Sequence, residues 1–305
     1  MNTQTIKSDA LLLLTAIIWG FAFVAQRIGM DYVGPFTFNG IRFALGSLVL
    51  IPFVVRNNKL TNNSDKDKRQ VMTRNLIAGG GLAGLALFAG ASFQQVGLVY
   101  TTAGNAGFIT GLYVVIVPML GLIFKQRTNT GTWLGALAAA WGLYFLCISE
   151  KFTIAHGDFL ELAGAIFWAS QILIIGWLSP RMDPLKLAAV QYTACSILSL
   201  VTAFLIEEIN MNGIYRAALP IFYGGALSVG VAYTLQVVAQ RKAHSAHAAI
   251  LLSLEAVFAV LGGWLILEEI LTPRGLLGCG LMLIGMLISQ LWGMLYKSDS
   301  GANTV

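Results

Sequence analysis

Ten apolar runs, each long enough to cross a lipid bilayer as a helix, dominate this sequence. A spanning helix needs about 20 mainly apolar residues. Only 11% of the residues are charged, against about 25% in a typical soluble domain. The sequence therefore predicts an all-α integral membrane protein with ten transmembrane helices. The runs cover residues 9–29, 35–55, 75–99, 103–124, 131–149, 158–178, 184–206, 217–240, 247–267 and 275–296.

The joints between several runs carry residues that favour helix starts. Proline is favoured at the first position of a helix, because the N–H group that it lacks would have no partner there. Prolines stand at three such joints: Pro35, Pro184 and Pro273. Thr272, directly before the last of them, is expected to cap that helix. Asp158 and Glu161 have the spacing of a capping box and are expected to open the sixth helix.

The basic residues predict how the chain is oriented in the membrane, because Lys and Arg collect in cytoplasmic loops. If the amino terminus is cytoplasmic, most of the 19 Lys and Arg residues fall on that side. Ten spans then bring the carboxyl terminus back to the same side. We therefore expect a multi-pass protein of the plasma or inner membrane with both termini cytoplasmic. The net charge of +5 follows from this topology and does not indicate a nucleic-acid partner.

The two halves of the chain match each other. A shift of 149 residues places Trp19 on Trp168, and a shift of 142 residues places Gln94 on Gln236. The first repeat is residues 1–150 and the second is residues 151–305, and each holds five runs. Because five is odd, the second repeat enters the membrane inverted relative to the first. Inverted repeats of this kind place a substrate site near the bilayer midplane.

Aromatic and amide side chains at matched positions are candidates for the wall of such a site. Trp19 and Trp168 fall near the centres of helices 1 and 6, whereas tryptophan usually prefers the membrane interface. They either line a cavity or pack in the core. Gln94 and Gln236 lie toward opposite ends of helices 3 and 8. They are expected to line the cavity or its gates, or to form interhelical hydrogen bonds.

Glu255 lies near the centre of helix 9, where an acidic group is costly. Its position matches that of Tyr113 in the first repeat. Arg42 is the one basic residue placed at mid-membrane depth and is the candidate partner of Glu255. Three roles for Glu255 stay open: a structural ion pair or hydrogen bond, direct contact with substrate, or a proton-carrying coupling site. Arg42 is expected to be a structural tie or a substrate contact.

The remaining polar residues indicate neither a metal nor a cofactor. His244 and His247 lie one turn apart, but the nearby sequence supplies too few further ligands for a metal site. The acidic pairs at 207–208 and 268–269 are interpreted as solvated helix ends. An enzyme site would need a nucleophile with a base or paired acids at depth, and no such set is present in the runs. Four further residues rank lower as cavity candidates: Asn105, Thr110, Gln171 and Gln191.

Three segments resemble the EamA-type permeases of the drug/metabolite transporter superfamily. They are IIWGFAFVAQRIGMDYVGPFTFNGIRFALG (17–46), TTAGNAGFITGLYVVIVP (101–118) and LLSLEAVFAVLGGWLILEEILTPRGLLGCGLMLIGM (251–286). The resemblance implies two inverted five-helix repeats, with helices 1–4 and 6–9 around a cavity and helices 5 and 10 at the side. The family commonly has a proline after the acid of the SLE segment, where this chain has Ala256. Because helix 4 keeps Pro118, we expect a bend there rather than at Glu255.

Duplication, inversion and resemblance together predict a secondary-active transporter of small metabolites. The resemblance implies an exporter of amino acids or related solutes that works by alternating access. A non-transporting scaffold or receptor is the alternative, and a membrane-embedded enzyme is disfavoured. The expected partners are a small-molecule solute and the lipid bilayer. Proton coupling is open, and so is a homodimer, since the glycine stripes of helices 5 and 10 fit either an intrachain neighbour or a second chain.

Overall fold

The computed structural model describes residues 3–60, 66–123, 130–147, 156–270 and 272–299, and these residues contain no β-strand. The first half is a series of helices joined by short turns. Its elements are α1 (Thr3–Gly29), α2 (Pro35–Leu60), α3 (Lys66–Gly97), α4 (Ala103–Thr110), α5 (Tyr113–Ile123) and α6 (Thr130–Cys147).

The second half is also helical and includes one long π-helical segment. This π segment (Tyr223–Tyr233) lies between two short α-helices. The α-helices of this half are α7 (His156–Leu178), α8 (Pro184–Ile206), α9 (Met211–Arg216), α10 (Ala218–Phe222), α11 (Thr234–Ala239), α12 (Ser245–Leu252), α13 (Glu255–Leu267) and α14 (Pro273–Asp299).

Within the described residues, eight helical stretches are long and apolar enough to cross a membrane. They are Ile6–Gly29, Pro35–Arg56, Thr73–Gly97, Ala103–Ile123, His156–Leu178, Pro184–Ile206, Ala218–Ala239 and Ser245–Leu267. The fifth and tenth predicted runs are helical as well and form α6 and α14. Residues 1–2 and 300–305 lie outside the described residues, so the orientation of the termini stays a prediction.

Most of the predicted helix starts are confirmed, and one is wrong. Helices α2, α8 and α14 begin at the three predicted prolines, and the hydroxyl of Thr272 accepts a hydrogen bond from the backbone of Gly275 at 3.0 Å. The capping box is wrong, because α7 already begins at His156. Asp158 instead accepts a hydrogen bond from the Thr101 hydroxyl at 2.7 Å. The side chain of Glu161 is turned into the protein.

Two spanning helices are interrupted at equivalent places. The break between α4 and α5 and the break between α12 and α13 lie 142 residues apart, the shift at which the two repeats match. In both breaks the backbone forms bonds to the third residue back, at 3.1 Å from Leu112 to Ile109 and at 3.3 Å from Leu254 to Leu251. Such tightened turns inside a helix often mark a functional hinge.

The expected difference between helices 4 and 9 is therefore wrong. Helix 9 breaks directly before Glu255 although Ala256 replaces the proline of the family. The hydroxyl of Ser253 donates to the carbonyl of Ile250 at 2.8 Å and takes part in the turn. A serine that bonds to its own helix backbone competes with regular helix geometry. The break thus needs no proline.

The helices pack so that both repeats contribute to one centre. Helix α1 packs against α13 and the π segment, α2 against α8, α3 against α7 and α8, and α4 against α13. Helices α6 and α14 pack along each other. A Cβ atom on Gly285 would lie 2.5 Å from the carbonyl oxygen of Gly135. The two glycine surfaces are therefore in contact within the chain.

This contact predicts that Gly285→Ala destabilises the protein. The added methyl group meets the backbone of α6, which cannot move aside easily, and overpacking of this kind costs about 1–3 kcal/mol. Thermal unfolding of the purified protein in detergent measures the effect. Gly280→Ala is the matched control on the same helix, because its new Cβ would have no atom within 4 Å. An equal shift for both variants would contradict the proposed α6–α14 contact.

Candidate functional site

A small cavity lies among α1, α2, α3, α4, α5, α7, the π segment, α11 and α13. Its volume is about 20 Å³, which is room for about one water molecule. The structure brings together at this cavity all seven residues that the sequence singled out as site candidates. They are Trp19, Arg42, Gln94, Tyr113, Trp168, Gln236 and Glu255.

Glu255 is the first residue of α13 and is 3% exposed. The hydroxyl of Tyr113, the first residue of α5, donates to Glu255 Oε1 at 2.8 Å. The two residues that occupy matching positions in the repeats are therefore hydrogen-bonded to each other. A hydrogen bond to a charged group is stronger than one between neutral groups. This bond joins the two broken helices at their breaks.

Arg42, the candidate partner of Glu255, does not form a salt bridge with it. Salt bridges join Arg27 to Asp31 and His247 to Asp9, and neither of them involves Arg42 or Glu255. Arg42 donates from Nε to Asn39 Oδ1, one turn earlier on α2, at 2.9 Å. Its guanidinium also faces the ring of Phe43 at 4.9 Å. Tyr113 is the nearer partner of Glu255, so the acid and the base line one cavity without pairing.

Arg42 has one nitrogen atom without a hydrogen-bond partner in the cavity wall. The residue is 1% exposed, and its Nη2 atom has no hydrogen-bond partner in the structure. Asn39, which holds the Nε side, is itself fixed by a hydrogen bond to the carbonyl of Ala91 at 3.0 Å. A buried cation without a counter-charge is costly. The cavity therefore favours an acceptor, above all an anionic one, beside Arg42.

An aromatic cluster forms another side of the cavity, with Tyr233 at its centre. The ring of Tyr233 lies 4.4 Å from that of Trp19 and 6.0 Å from that of Trp168, and it is stacked on the latter. The indole N–H of Trp19 donates to the carbonyl of Ser228 at 3.3 Å, whereas the indole nitrogen of Trp168 has no partner. Such a wall suits the apolar part of a ligand.

The two matched glutamines line the cavity and also form interhelical hydrogen bonds. Gln94 donates to the hydroxyl of Thr110 at 3.1 Å, and Gln236 donates to Gln171 Oε1 at 3.1 Å. The Oε1 atom of Gln236 has no partner. Of the lower-ranked candidates, Thr110 and Gln171 line the cavity, and Gln191 contacts it through Gln171 at 3.4 Å.

Several cavity residues were missed by the sequence analysis, although their spacing carries a signal. Gln26 lies seven residues after Trp19 on α1, and Tyr233 lies three residues before Gln236. Residues three, four or seven apart share a helix face. Ser228 lies in the π segment, which regular helical spacing does not predict. A search for polar or aromatic residues on the faces of the candidates would have found the first two.

Carboxylates at one end of the bundle cap helices from the other repeat. Glu207, at the end of α8, accepts hydrogen bonds from the backbone of Phe36 and Thr37 at 2.8 Å each and from the Thr37 hydroxyl at 2.7 Å. Glu269 accepts from the backbone of Ala103 at 2.8 Å and of Gly104 at 3.1 Å. Carboxylates are favourable at helix N-termini.

The prediction that both acidic pairs are solvated helix ends is therefore wrong for Glu207 and Glu269. Their neighbours Glu208 and Glu268 are exposed. Glu268 has a φ of 55° and closes α13 in the left-handed conformation. This turn directs Glu269 back toward α4, where Gly263 leaves room for its carboxylate.

The comparison with known protein families agrees with this architecture. The sequence profile of the EamA-like transporter family matches residues 6–148 and again residues 155–291. The chain belongs to this family. The resemblance of the three segments is thereby confirmed, and the chain is a multi-pass membrane protein of a transporter family.

Relatives of this EamA-family chain are transporters by name. One from Archaeoglobus fulgidus, named an uncharacterized transporter, is 37% identical over 95% of this chain and 88% of its own length. YoaV of Bacillus subtilis, another uncharacterized transporter, is 22% identical over 90% of this chain and 93% of its own. A protein of Escherichia coli named a probable amino-acid metabolite efflux pump is 27% identical over 53% of this chain and 51% of its own.

A solved crystal structure shares the fold of this EamA-family chain. The TM-score is 0.72, and the match covers 93% of this chain and 97% of the other at 19% sequence identity. At this identity the likeness bears on the fold alone. The relatives are named as transporters, which is consistent with a protein that is not an enzyme.

The hydrogen bond at the two breaks predicts an energetic coupling between Tyr113 and Glu255. Tyr113→Phe should lower the free energy of unfolding by about 1–3 kcal/mol, because it leaves a buried acceptor without its donor. In a Glu255→Leu background the same change should cost much less. The free energy of unfolding in detergent is measured for wild type, for the two single variants and for the double variant. Tyr192→Phe, which removes the hydroxyl that contacts Thr234 at 3.1 Å, is the control and should cost the same in both backgrounds. Equal effects of Tyr113→Phe in both backgrounds would contradict the coupling.

Proposed function

We propose that this protein is a secondary-active exporter of small metabolites, namely amino acids or related solutes. One observation carries the proposal: a cavity between two broken helices holds an acid and a base that do not pair with each other. Broken helices at a repeat interface are a recurrent feature of transporter substrate sites. The name of the relative from Escherichia coli supports the choice of solute.

We propose further that ten helices form two inverted repeats, residues 1–150 and 151–305. The equivalent breaks in α4–α5 and α12–α13 support this arrangement, as does the contact between α6 and α14 beside the other helices. Both termini are cytoplasmic in a plasma or inner membrane, and Glu207 and Glu269 then lie at the outer end. The glycine surfaces of α6 and α14 contact each other within the chain, which supports the first of the two partners that the sequence left open for them.

The chemistry of the cavity fits a solute with both an anionic and a cationic or donor group. The free Nη2 of Arg42 and the free indole nitrogen of Trp168 are donors for a carboxylate. Glu255 is the acceptor for an ammonium group, and Gln94 and Gln236 contact further polar atoms. Trp19, Trp168, Tyr113 and Tyr233 pack on the apolar part. In this role Glu255 contacts the solute directly, one of the three roles left open by the sequence.

The size of the cavity implies that the protein must move to bind its solute. A volume of about 20 Å³ is far below the roughly 300–1,000 Å³ of a typical ligand site. We infer that the two helix groups rock about the cavity and open it alternately to each side. Each broken helix can bend at its break, before Tyr113 or before Glu255, because the regular helical hydrogen bonding is already interrupted there.

Solute counterflow in liposomes tests this function. Liposomes with purified protein are loaded with one unlabelled amino acid or small metabolite at a time, and entry of the labelled form is followed with and without a pH gradient. We expect Glu255→Gln to reduce counterflow by about 10- to 100-fold, since a lost charge-assisted contact costs about 1.5–3 kcal/mol. Glu208→Gln, the same change at an exposed position, should leave it unchanged. Wild-type protein that moves no solute of the panel would contradict the transport function, and full activity of Glu255→Gln would contradict the contact.

Cysteine accessibility tests the position of the cavity. In a chain whose native cysteines are replaced by alanine, a cysteine in place of Trp19 should react with small water-borne thiol reagents, because alternating access brings water to this position. The control is Ala16→Cys, one turn away on α1, which is fully buried and does not line the cavity. A Trp19→Cys variant that stays unreactive from both sides while folded shows that the position is not in a solvent-reached cavity.

A further inference from the structure

Glu161 is a fully buried acid within a spanning helix, and the roles proposed above do not use it. It lies in the second turn of α7 and is 0% exposed. Its Oε2 atom accepts a hydrogen bond from the Thr110 hydroxyl at 3.3 Å, and its Oε1 atom has no partner. A Cβ atom on Gly97 would lie 2.8 Å from Oε1, so α3 covers the carboxyl group closely.

No positive charge balances this carboxyl group among the described residues. The titratable groups that bear on it are Asp158, one turn earlier on α7, and Glu255 across the cavity, and both are acids. His156 begins α7 and packs its ring on that of Tyr100 at a centroid distance of 5.4 Å. An isolated ionised carboxylate in an apolar interior is costly and tends to take up a proton instead.

A short chain of hydrogen bonds links Glu161 to the cavity. Thr110, the last residue of α4, donates to Glu161 and accepts from Gln94 Nε2 at 3.1 Å. Thr110 and Gln94 line the cavity, whereas Glu161 does not. Glu161 therefore lies behind the cavity wall and contacts it through one hydroxyl group, next to the break between α4 and α5.

We propose that Glu161 is a proton-binding site whose occupancy controls the affinity of the cavity for solute through Thr110. The proposal rests on the transport function proposed above. When Glu161 is ionised, the Thr110 hydroxyl donates to it and Gln94 donates to Thr110. When Glu161 binds a proton, its own O–H donates to the Thr110 oxygen. The Thr110 hydrogen then turns toward the cavity and can donate to the solute, while the Thr110 oxygen still accepts from Gln94 through its second lone pair.

Proton binding at Glu161 thus changes the hydrogen bonding in the cavity, although the proton site and the solute site have no atom in common. A proton and a solute that change each other's affinity do so by the same factor. Asp158 lies one turn nearer to the start of α7 than Glu161 and is 7% exposed. No oxidant, metal or further reactant is needed, because one proton is bound and released.

Counterflow and gradient-driven uptake separate this proposal from the transport function itself. In wild type, a pH gradient should change uptake by about 5- to 150-fold, the usual range of coupling between two sites. Glu161→Gln copies the protonated side chain and should keep counterflow while losing the response to the gradient. Glu208→Gln is the matched control and should keep both. Wild-type protein without counterflow contradicts the transport function, whereas a Glu161→Gln variant that follows the gradient like wild type overturns the proton site.

Infrared spectroscopy tests proton binding without any solute. A protonated carboxyl group has its own C=O stretching band, and part of this band should be lost in Glu161→Gln but kept in Glu208→Gln. Thr110→Val should keep the band and lose the response of uptake to the gradient, because it removes only the linking hydroxyl. If Glu161→Gln does not fold, Thr110→Val tests the linkage between Glu161 and the cavity. A band unchanged by Glu161→Gln, or a normal gradient response in Thr110→Val, overturns the proposal.

Discussion

The lack of water inside a bilayer is the constraint on which the rest of the structure depends. A polar group there must find its partner within the protein, since each unsatisfied group costs several kcal/mol. The chain meets this constraint by joining its repeats: Tyr113 donates to Glu255, and Trp19 donates to the carbonyl of Ser228. Among the described residues, eleven buried side-chain atoms have no partner, and those at the cavity or directly behind it, such as Nη2 of Arg42 and Oε1 of Glu161, are the places where we expect a ligand or a proton to bind.

The sequence was sufficient for the helices and for most of the cavity, for two physical reasons. A helix that crosses the bilayer needs a minimum number of apolar residues, so the runs are easy to recognise. The match between the two halves shows which polar residues are expected at equivalent depths. Trp19, Trp168, Gln94 and Gln236 were found in this way, and all four line the cavity. Gln26 and Tyr233 were missed because each belongs to a helix face that was examined at one residue only.

Pairing between side chains could not be predicted from depth alone. Arg42 was the candidate partner of Glu255, but Asn39 and Tyr113 are the hydrogen-bond partners of these two residues, and the rotation of each helix about its axis decides between such partners. The three-residue spacing of Asp158 and Glu161 fits a capping box, but spacing along the sequence does not show where the helix begins. The break before Glu255 depends on the hydroxyl of Ser253 and on the backbone hydrogen bonds around it. No single residue type in the sequence predicts such a break.

The two carboxylate caps join the two halves of the chain at one end of the bundle. Glu207 and Glu269 accept five hydrogen bonds at one end, whereas at the other end α1 and α12 are joined by the contact of Asp9 with His247 at 2.8 Å. A duplicated fold would by itself give its two open forms similar energies. On the proposed alternating-access mechanism, the caps stabilise the form that is shut at the capped end relative to the other form. Two side chains that do not line the cavity would thus set the relative energy of the two open forms of the proposed mechanism.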